Sequence, residues 1–395
     1  MSSRWSRGRL SVTAGPSQRR PSIVDGQRSE RPKRTTDPFA SWLPPRPDGD
    51  PLRLLLAPMD GVTEHVHRAL ISELNPVDTT LDRRLSAVDV CVSEFVRVTD
   101  HVVPVAVLWR HCPELRAGGM TRSGVPVFVQ LLGSAPVELA ATARRAVELG
   151  ARGIDLNFGC PAKTVNRHDG GATLLRAPSR VERITAAVRA AVPPELPVTV
   201  KIRVGWDSSD PVESLAAAAE QGGAAWLTIH GRTRAQGYRP PVDWPAIGRA
   251  AAAVQIPVVA NGDLHTPQDV AQCRYLTGCA AFMVGRGIMA APNWFRWVRG
   301  LDSGPPDLPG LCSVWRRYAA QLRDSGASGR SALCRLKQWL RMAAAQRTDV
   351  VALFDRVKRE MDVDAVLNVV AALECRRRSS QLTISASASP GAPAG

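Results

Sequence analysis

From residue 52 onward, short apolar runs alternate with longer segments whose apolar residues recur at helical spacing. This is how strands buried on both faces and joined by helical crossovers read along a chain. Eight runs can be counted, at 52–57, 88–95, 125–131, 153–157, 198–203, 226–230, 257–260 and 281–285. Ala-rich amphipathic stretches at 136–149, 178–191 and 213–221 separate them, with Gly150 and Gly222 standing as helix stops. Eight strand-helix repeats are the number that closes a TIM (β/α)8 barrel of about 250 residues. A doubly wound sheet is the alternative, but no Gly-rich dinucleotide turn follows any run.

The pattern changes at both ends. Residues 1–50 are rich in Arg, Ser and Pro and carry neither period, so they are expected to form a disordered basic arm. Past the Pro-rich break at 304–309, helical periods alone continue to about residue 374. The chain therefore divides into an arm (1–50), a barrel (51–304), a small helical domain (305–378) and a disordered Ser, Ala, Pro and Gly tail (379–395).

Composition narrows the function. Lys and Arg number 51 against 36 Asp and Glu, a net charge of +15, which attracts a polyanion over long range and points to nucleic acid. No apolar run approaches the roughly 20 residues of a membrane span, and the first fifty residues lack a secretory h-region, so the expectation is a cytoplasmic protein. The eight cysteines include no CxxC pair, which argues against a zinc site or a disulfide framework. Most read as small buried hydrophobes.

The chemistry is expected where strands end, on the C-terminal face of a barrel. Nearly every run ends in polar residues. The first leads into Pro58, Met59 and Asp60; the second carries Glu94; the third ends at Gln130; the fourth ends at Asn157 and Cys160. The fifth carries Lys201 and Arg203, and the sixth ends at His230 and Arg232 with Tyr238 following. The last two end in the glycine turns Asn261-Gly262-Asp263 and Gly285-Arg286-Gly287. Consecutive glycine turns are the usual phosphate site of a barrel. A lysine at the mouth suits the N1 and O2 region of a reduced flavin, and Gln130 suits its pyrimidine edge. Arg335 and Lys337, on a helix of the second domain, are candidates for gripping a nucleic-acid backbone.

At these residues the chain resembles the bacterial tRNA-dihydrouridine synthases, most closely their C subfamily. The matching stretches are LLAPMDGVT (55–63), CVSEFVRVTD (91–100), GIDLNFGCPAKTVNRHDGGATLL (153–175), VKIRVGWD (200–207), HGRTRAQGY (230–238), PVVANGD (257–263), VGRG (284–287) and RLKQWL (335–340). The resemblance implies FMN held by Pro58, Met59, Asp60, Gln130, Lys201, Asn261, Gly262, Asp263, Gly285 and Arg286. It further implies NADPH as reductant, tRNA as substrate and Cys160 as the catalytic acid, with no stable protein partner. It suggests position 16 of the D-loop. One loop departs from the subfamily: a small, Gly-rich NGSGGG is replaced by Asn166-Arg167-His168-Asp169-Gly170-Gly171, which puts its RNA contacts and the choice of position in question.

The residues also suit the reaction. Hydride reaching C6 of uracil leaves enolate character at C5 and O4, so an acid must protonate C5. A free thiol, with a pKa of about 8.5, is mostly protonated at neutral pH, and Cys160 fits that role. Asn157, Glu94 and Tyr238 are expected near the base, and His230 beside the cofactor. A stacked uridine must be extruded to be reached. Two alternatives stand: a flavin barrel acting on a small molecule such as a free pyrimidine, and a non-catalytic RNA-binding descendant.

Overall fold

The computed structural model describes residues 37, 39–43, 45–46, 49–77 and 86–386, with side chains as far as residue 374. Among the described residues nine parallel strands are formed: β1 (Arg53–Leu56), β2 (Val90–Val92), β3 (Val96–Arg97), β4 (Val127–Leu132), β5 (Ile154–Asn157), β6 (Val198–Arg203), β7 (Leu227–His230), β8 (Val258–Asn261) and β9 (Ala281–Val284). β1 pairs with β9 on one side and β2 on the other, and β2 pairs with β4, so the sheet closes on itself. This is the expected eight-strand TIM barrel, with β2 and β3 as two pieces of one strand.

The second apolar run, expected as one strand over 88–95, is interrupted at Ser93–Phe95. There Ser93 turns its hydroxyl onto the backbone of β4, accepting from the Gln130 amide at 3.0 Å. A side chain replaces a ladder bond, and pairing resumes only at Val96.

Strand alternation sorts residues between two environments. Leu54, Leu56, Val127, Val129, Ile154 and Leu156 face the helical layer within one continuous core. Leu55, Ala57, Phe128, Trp226, Val259, Ala281 and Met283 form a second cluster inside the barrel. Phe128 fills the interior so fully that a Cβ at Gly153 would lie 2.6 Å from its ring. Above this apolar floor the inward positions turn polar, with Gln130, Asp155, Thr199 and Thr228 all buried.

Part of the stretch expected to be a disordered arm is folded. Phe39 (1% exposed) and Leu43 join the interior cluster, and Phe39 meets Trp226 edge-on at 5.4 Å. Asp37 pairs with Arg53, and Arg46 with Asp89 at 2.8 Å. The described part of this stretch therefore starts at Asp37, and residues 1–36 lie outside the described residues. An aromatic buried against the barrel floor outweighs the polar composition around it.

Four helices follow the barrel, Leu308–Asp324, Gly329–Ala344, Thr348–Val357 and Val363–Ala386. The tail expected from 379 thus begins as helix as far as Ala386, and 387–395 lie outside the described residues. Leu311, Trp315, Leu336 and Leu340 belong to the same core as the barrel's outer layer. The Trp339 indole donates to the Met289 carbonyl at 2.9 Å, and the Tyr318 hydroxyl to Glu64 at 2.7 Å. Glu64 also caps the helix His65–Leu74, accepting from the Val66 and His67 amides. Among the described residues, no helix is long and apolar enough to cross a membrane.

Candidate active site

A cavity of about 1220 Å³ opens at the C-terminal end of the strands. Of the residues singled out in the sequence, Pro58, Met59, Asp60, Gln130, Asn157, Cys160, Lys201, His230, Tyr238, Asn261, Gly262, Asp263, Gly285, Arg286 and Lys337 all line it. The ladder explains the gathering: Gln130 is in register with Asp155, Asn157 with Lys201, Arg203 with His230, and His230 with Asn261. Residues far apart in sequence become neighbours at one height of the barrel.

Two expected contacts are not brought to the cavity. Glu94 is buried and absent from the lining, although its neighbour Phe95 lines the cavity. Burial pushes its carboxyl upward, opposed by the charges of Arg68 and Arg335. Arg335 is likewise not a lining residue. Its charge acts on His65, His67, Glu94 and Tyr318, and its Nη1 is buried without a hydrogen-bond partner. Lys337 does reach the cavity, with its ammonium bonded to the Glu360 carbonyl.

Cys160 is half-buried just past β5. The Asn157 side-chain oxygen accepts from the Gly159 amide at 3.0 Å and the Cys160 amide at 2.9 Å. The Cys160 carbonyl accepts from Asn166 and Ala172. Burial pushes the thiol upward, so it remains protonated near neutral pH. Arg203 ties this loop to the next, donating to the carbonyls of Gly159, Thr233 and Gly237.

Lys201 reaches Asn261 Oδ1 at 3.3 Å. Burial and the neighbouring Arg203 lower its ammonium to about 8. Burial and the same ring of cations hold His230 neutral. Tyr238, 58% exposed, lies with its ring 5.3 Å from both the Arg203 and Arg286 guanidiniums.

After β8 the chain makes a tight turn with Gly262 at φ +121° and Asp263 at φ +50°, a conformation that L-residues rarely adopt. Asp263 was expected at the cofactor; its carboxylate is engaged by Arg232 and, at 2.7 Å, by Arg286. Burial alone would raise it, but bonds from His265 and Arg232 with the Arg286 charge hold it well below the usual carboxylate range. Gln346, from the helical segment, donates to the Arg286 carbonyl at 2.9 Å and contacts His265 at 2.8 Å.

The donor set suits a flavin phosphate and an electron-rich ring. Arg286 flanks glycines after β9, Gly262 lets the backbone approach closely, and Lys201 retains donors beyond its single bond to Asn261. Sequence reasoning missed Cys334, Gln338, Arg341, Met342, Phe354 and Lys358, which line the mouth from the helical segment. No local signal marks them, since a helix face becomes a wall only after docking. It also missed Asp155, whose signal was readable: an acid two residues before Asn157, on the same inward face of a strand.

The loop that departs from the subfamily is anchored by Asn166, which donates to the Cys160 and Gly170 carbonyls and accepts from Arg234 at 2.9 Å. Asp169, at φ +58°, pairs with Arg180, and Arg167 and His168 are exposed.

The family model described as dihydrouridine synthase matches residues 55–367. The tRNA-dihydrouridine(16) synthase of Escherichia coli (strain K12) is 43% identical over 308 residues, covering 78% of this chain and 94% of that protein. The enzyme of the same name from Cupriavidus necator is 44% identical over 322 residues, covering 80% and 96%. Solved structures align more loosely: morphinone reductase in complex with tetrahydroNAD gives a TM-score of 0.42 at 15% identity, covering 65% of this chain and 89% of that one. With a family model spanning the barrel and most of the helical segment, and relatives matched over nearly their whole length, the chain belongs to the dihydrouridine synthase family.

Proposed function

We propose that this protein reduces the C5=C6 bond of a D-loop uridine in tRNA, position 16, with FMN as bound cofactor and NADPH as electron source. The relatives' printed name supports the position. The observation that carries the reading is a half-buried Cys160 thiol, pushed upward by burial, in the same cavity as Lys201 and the glycine turns. At about 1220 Å³ that cavity exceeds the usual range for one small ligand, about 300–1,000 Å³, leaving room for a cofactor and an extruded base together.

When bound, a flavin supplies the hydride. Cys160 holds the proton that C5 requires, and Asn157 fixes the backbone that presents it. Pro58, Met59, Asp60, Gln130, Asn261, Gly262, Asp263, Gly285 and Arg286 form the flavin cradle in this reading, with His230 as a neutral neighbour of its ring. Lys201 supplies positive charge beside the ring. Tyr238, exposed between two guanidiniums, offers a face for the uracil. Residues 51–304 serve as the catalytic domain and 305–378 as the module that grips tRNA, the cations Lys337, Arg341 and Lys358 facing its phosphates. The reaction belongs in the cytoplasm, with its substrate.

The test maps dihydrouridine in tRNA from cells lacking this protein, then after restoring wild type or Cys160→Ala. Position 16 is expected to lose the modification and regain it with wild type. The alanine variant should turn over at least about 100-fold more slowly, the scale of a lost general acid. Full restoration by alanine would refute the assigned acid, and loss at another position would move the target. Faster flavin reoxidation by free uracil or orotate than by tRNA would favour a small-molecule enzyme, and purified protein that takes up no FMN would favour a non-catalytic RNA binder.

A further inference from the structure

We infer that Asp155 is a positioning residue: its ionised carboxylate sets the direction of a hydrogen-bond chain that runs through Gln130 and Asn157 to the backbone of Cys160. The role assigned here rests on the reading of Cys160 as the acid; the chain itself does not.

The direction follows from donor and acceptor chemistry alone. The Gly159 and Cys160 amides can only donate, so the atom of Asn157 facing them, at 3.0 and 2.9 Å, is its oxygen. The Asn157 nitrogen must then face Gln130, and it lies 2.9 Å from Gln130 Oε1. That leaves the Gln130 nitrogen facing Asp155 Oδ2 at 2.7 Å. The last group must therefore accept. Thr199 holds the other carboxylate oxygen at 2.5 Å.

Gln130, Asp155 and Thr199 are no more than 1% exposed, so water cannot substitute for a missing partner. A buried amide of either residue would otherwise be free to turn end for end. Both ends of the chain are fixed, one by backbone N–H groups and one by a carboxylate, and the two amides between them have a single consistent arrangement.

Ionised, Asp155 can only accept, from Gln130 at one oxygen and from Thr199 at the other. Burial pushes its carboxyl up to about 6, against the bonds from Gln130 and Thr199 and the charge of Lys201. Lys201 is the charged group acting on it, and is itself acted on by Arg203 and Cys160. As pH falls through about 6 the acid gains a proton and can donate toward Gln130. Its carbonyl oxygen can still accept from Gln130, so it is the carboxylate, which cannot donate, that imposes a single direction.

Two substitutions separate direction from shape. Asp155→Asn keeps an oxygen that can accept from Gln130; Asp155→Leu keeps bulk without an acceptor. The readout is amide hydrogen exchange of the segment 157–162 in protein prepared without flavin. Protection of the Gly159 and Cys160 amides should fall about 10-fold in Asp155→Leu, the scale of one lost net hydrogen bond, and stay near wild type in Asp155→Asn. Unchanged protection in a folded Asp155→Leu, or equal loss in both variants, would overturn the inference. Should the leucine variant not fold, Asp155→Asn decides alone: protection near wild type supports the chain, and lost protection overturns it. With tRNA, Asp155→Leu should lower kcat about 10- to 100-fold with little change in the tRNA KM. A wild type inactive on tRNA would sink the function reading yet leave the exchange results to judge the chain.

Discussion

The two ends of the barrel are built from the same alternating strands and are finished in opposite ways. At the N-terminal end, Phe39 stands against Trp226, whose ring lies 5.4 Å from Phe128. Around them Arg46, Arg53 and Arg299 share Asp37, Asp50 and Asp89. Cations and carboxylates there neutralise one another over a packed apolar floor. At the C-terminal end the cations Lys201, Arg203 and Arg286 line a single cavity, with the Asp263 carboxylate bonded to Arg286 and to the buried Arg232. Two groups there, Lys201 and Cys160, are shifted by burial toward their neutral forms. One end is electrostatically complete; the other keeps an excess of positive charge and donors that a phosphorylated, electron-rich ligand can take up.

The contrast can be broken from either side. Phe39→Ala should have the largest effect on folding, about 4 kcal/mol, the scale of a Phe-to-Ala cavity, measured by denaturant unfolding. It should leave kcat of the folded protein unchanged; a loss of turnover without a loss of stability would show that the two ends are not independent. Lys201→Met should leave stability nearly intact while slowing flavin reduction by NADPH about 100-fold, comparable with removing one preorganised charge-stabilising donor. Wild-type reduction in that variant would remove Lys201 from the chemistry.

The smallest effect lies between barrel and helices. His67 is fully buried against Trp339, with ring centroids 4.6 Å apart, and burial lowers it to about 3. Its folded pKa lies below the unfolded value of 6.5, so the unfolded chain takes up the proton first as pH falls. Stability is therefore present in full above about 6.5 and is lost progressively below it, by about 2 kcal/mol at pH 5. Unfolding titrations of wild type and His67→Phe should diverge over this window, and parallel curves would place the acid sensitivity elsewhere.

The barrel was legible because eight apolar runs with helical spacers have few ways to bury both faces. The site was legible where polar residues ended those runs, as at Gln130, Cys160 and Lys201. It was misjudged where a local rule met a tertiary override. Glu94 looked like a strand-end ligand, but the strand breaks at Ser93 and the acid is buried outside the cavity lining. Arg335 looked like a surface cation, but its helix docks with that side toward Glu94 and His67. Phe39 sat in a polar stretch and is a core residue.

Periodicity and residue type thus settled the strand count and put polar residues, Cys160 among them, at the strand ends, since each depends on neighbours a few positions away. Which polar residues share a hydrogen bond depends on strand register and helix docking. Those place Asp155 beside Gln130 and Thr199, and Lys337 and Lys358 above the cavity, across separations in sequence that no local pattern spans. The direction of the chain leading to Cys160 emerges only from that assembled set, because an amide's orientation is decided by what lies on both of its sides.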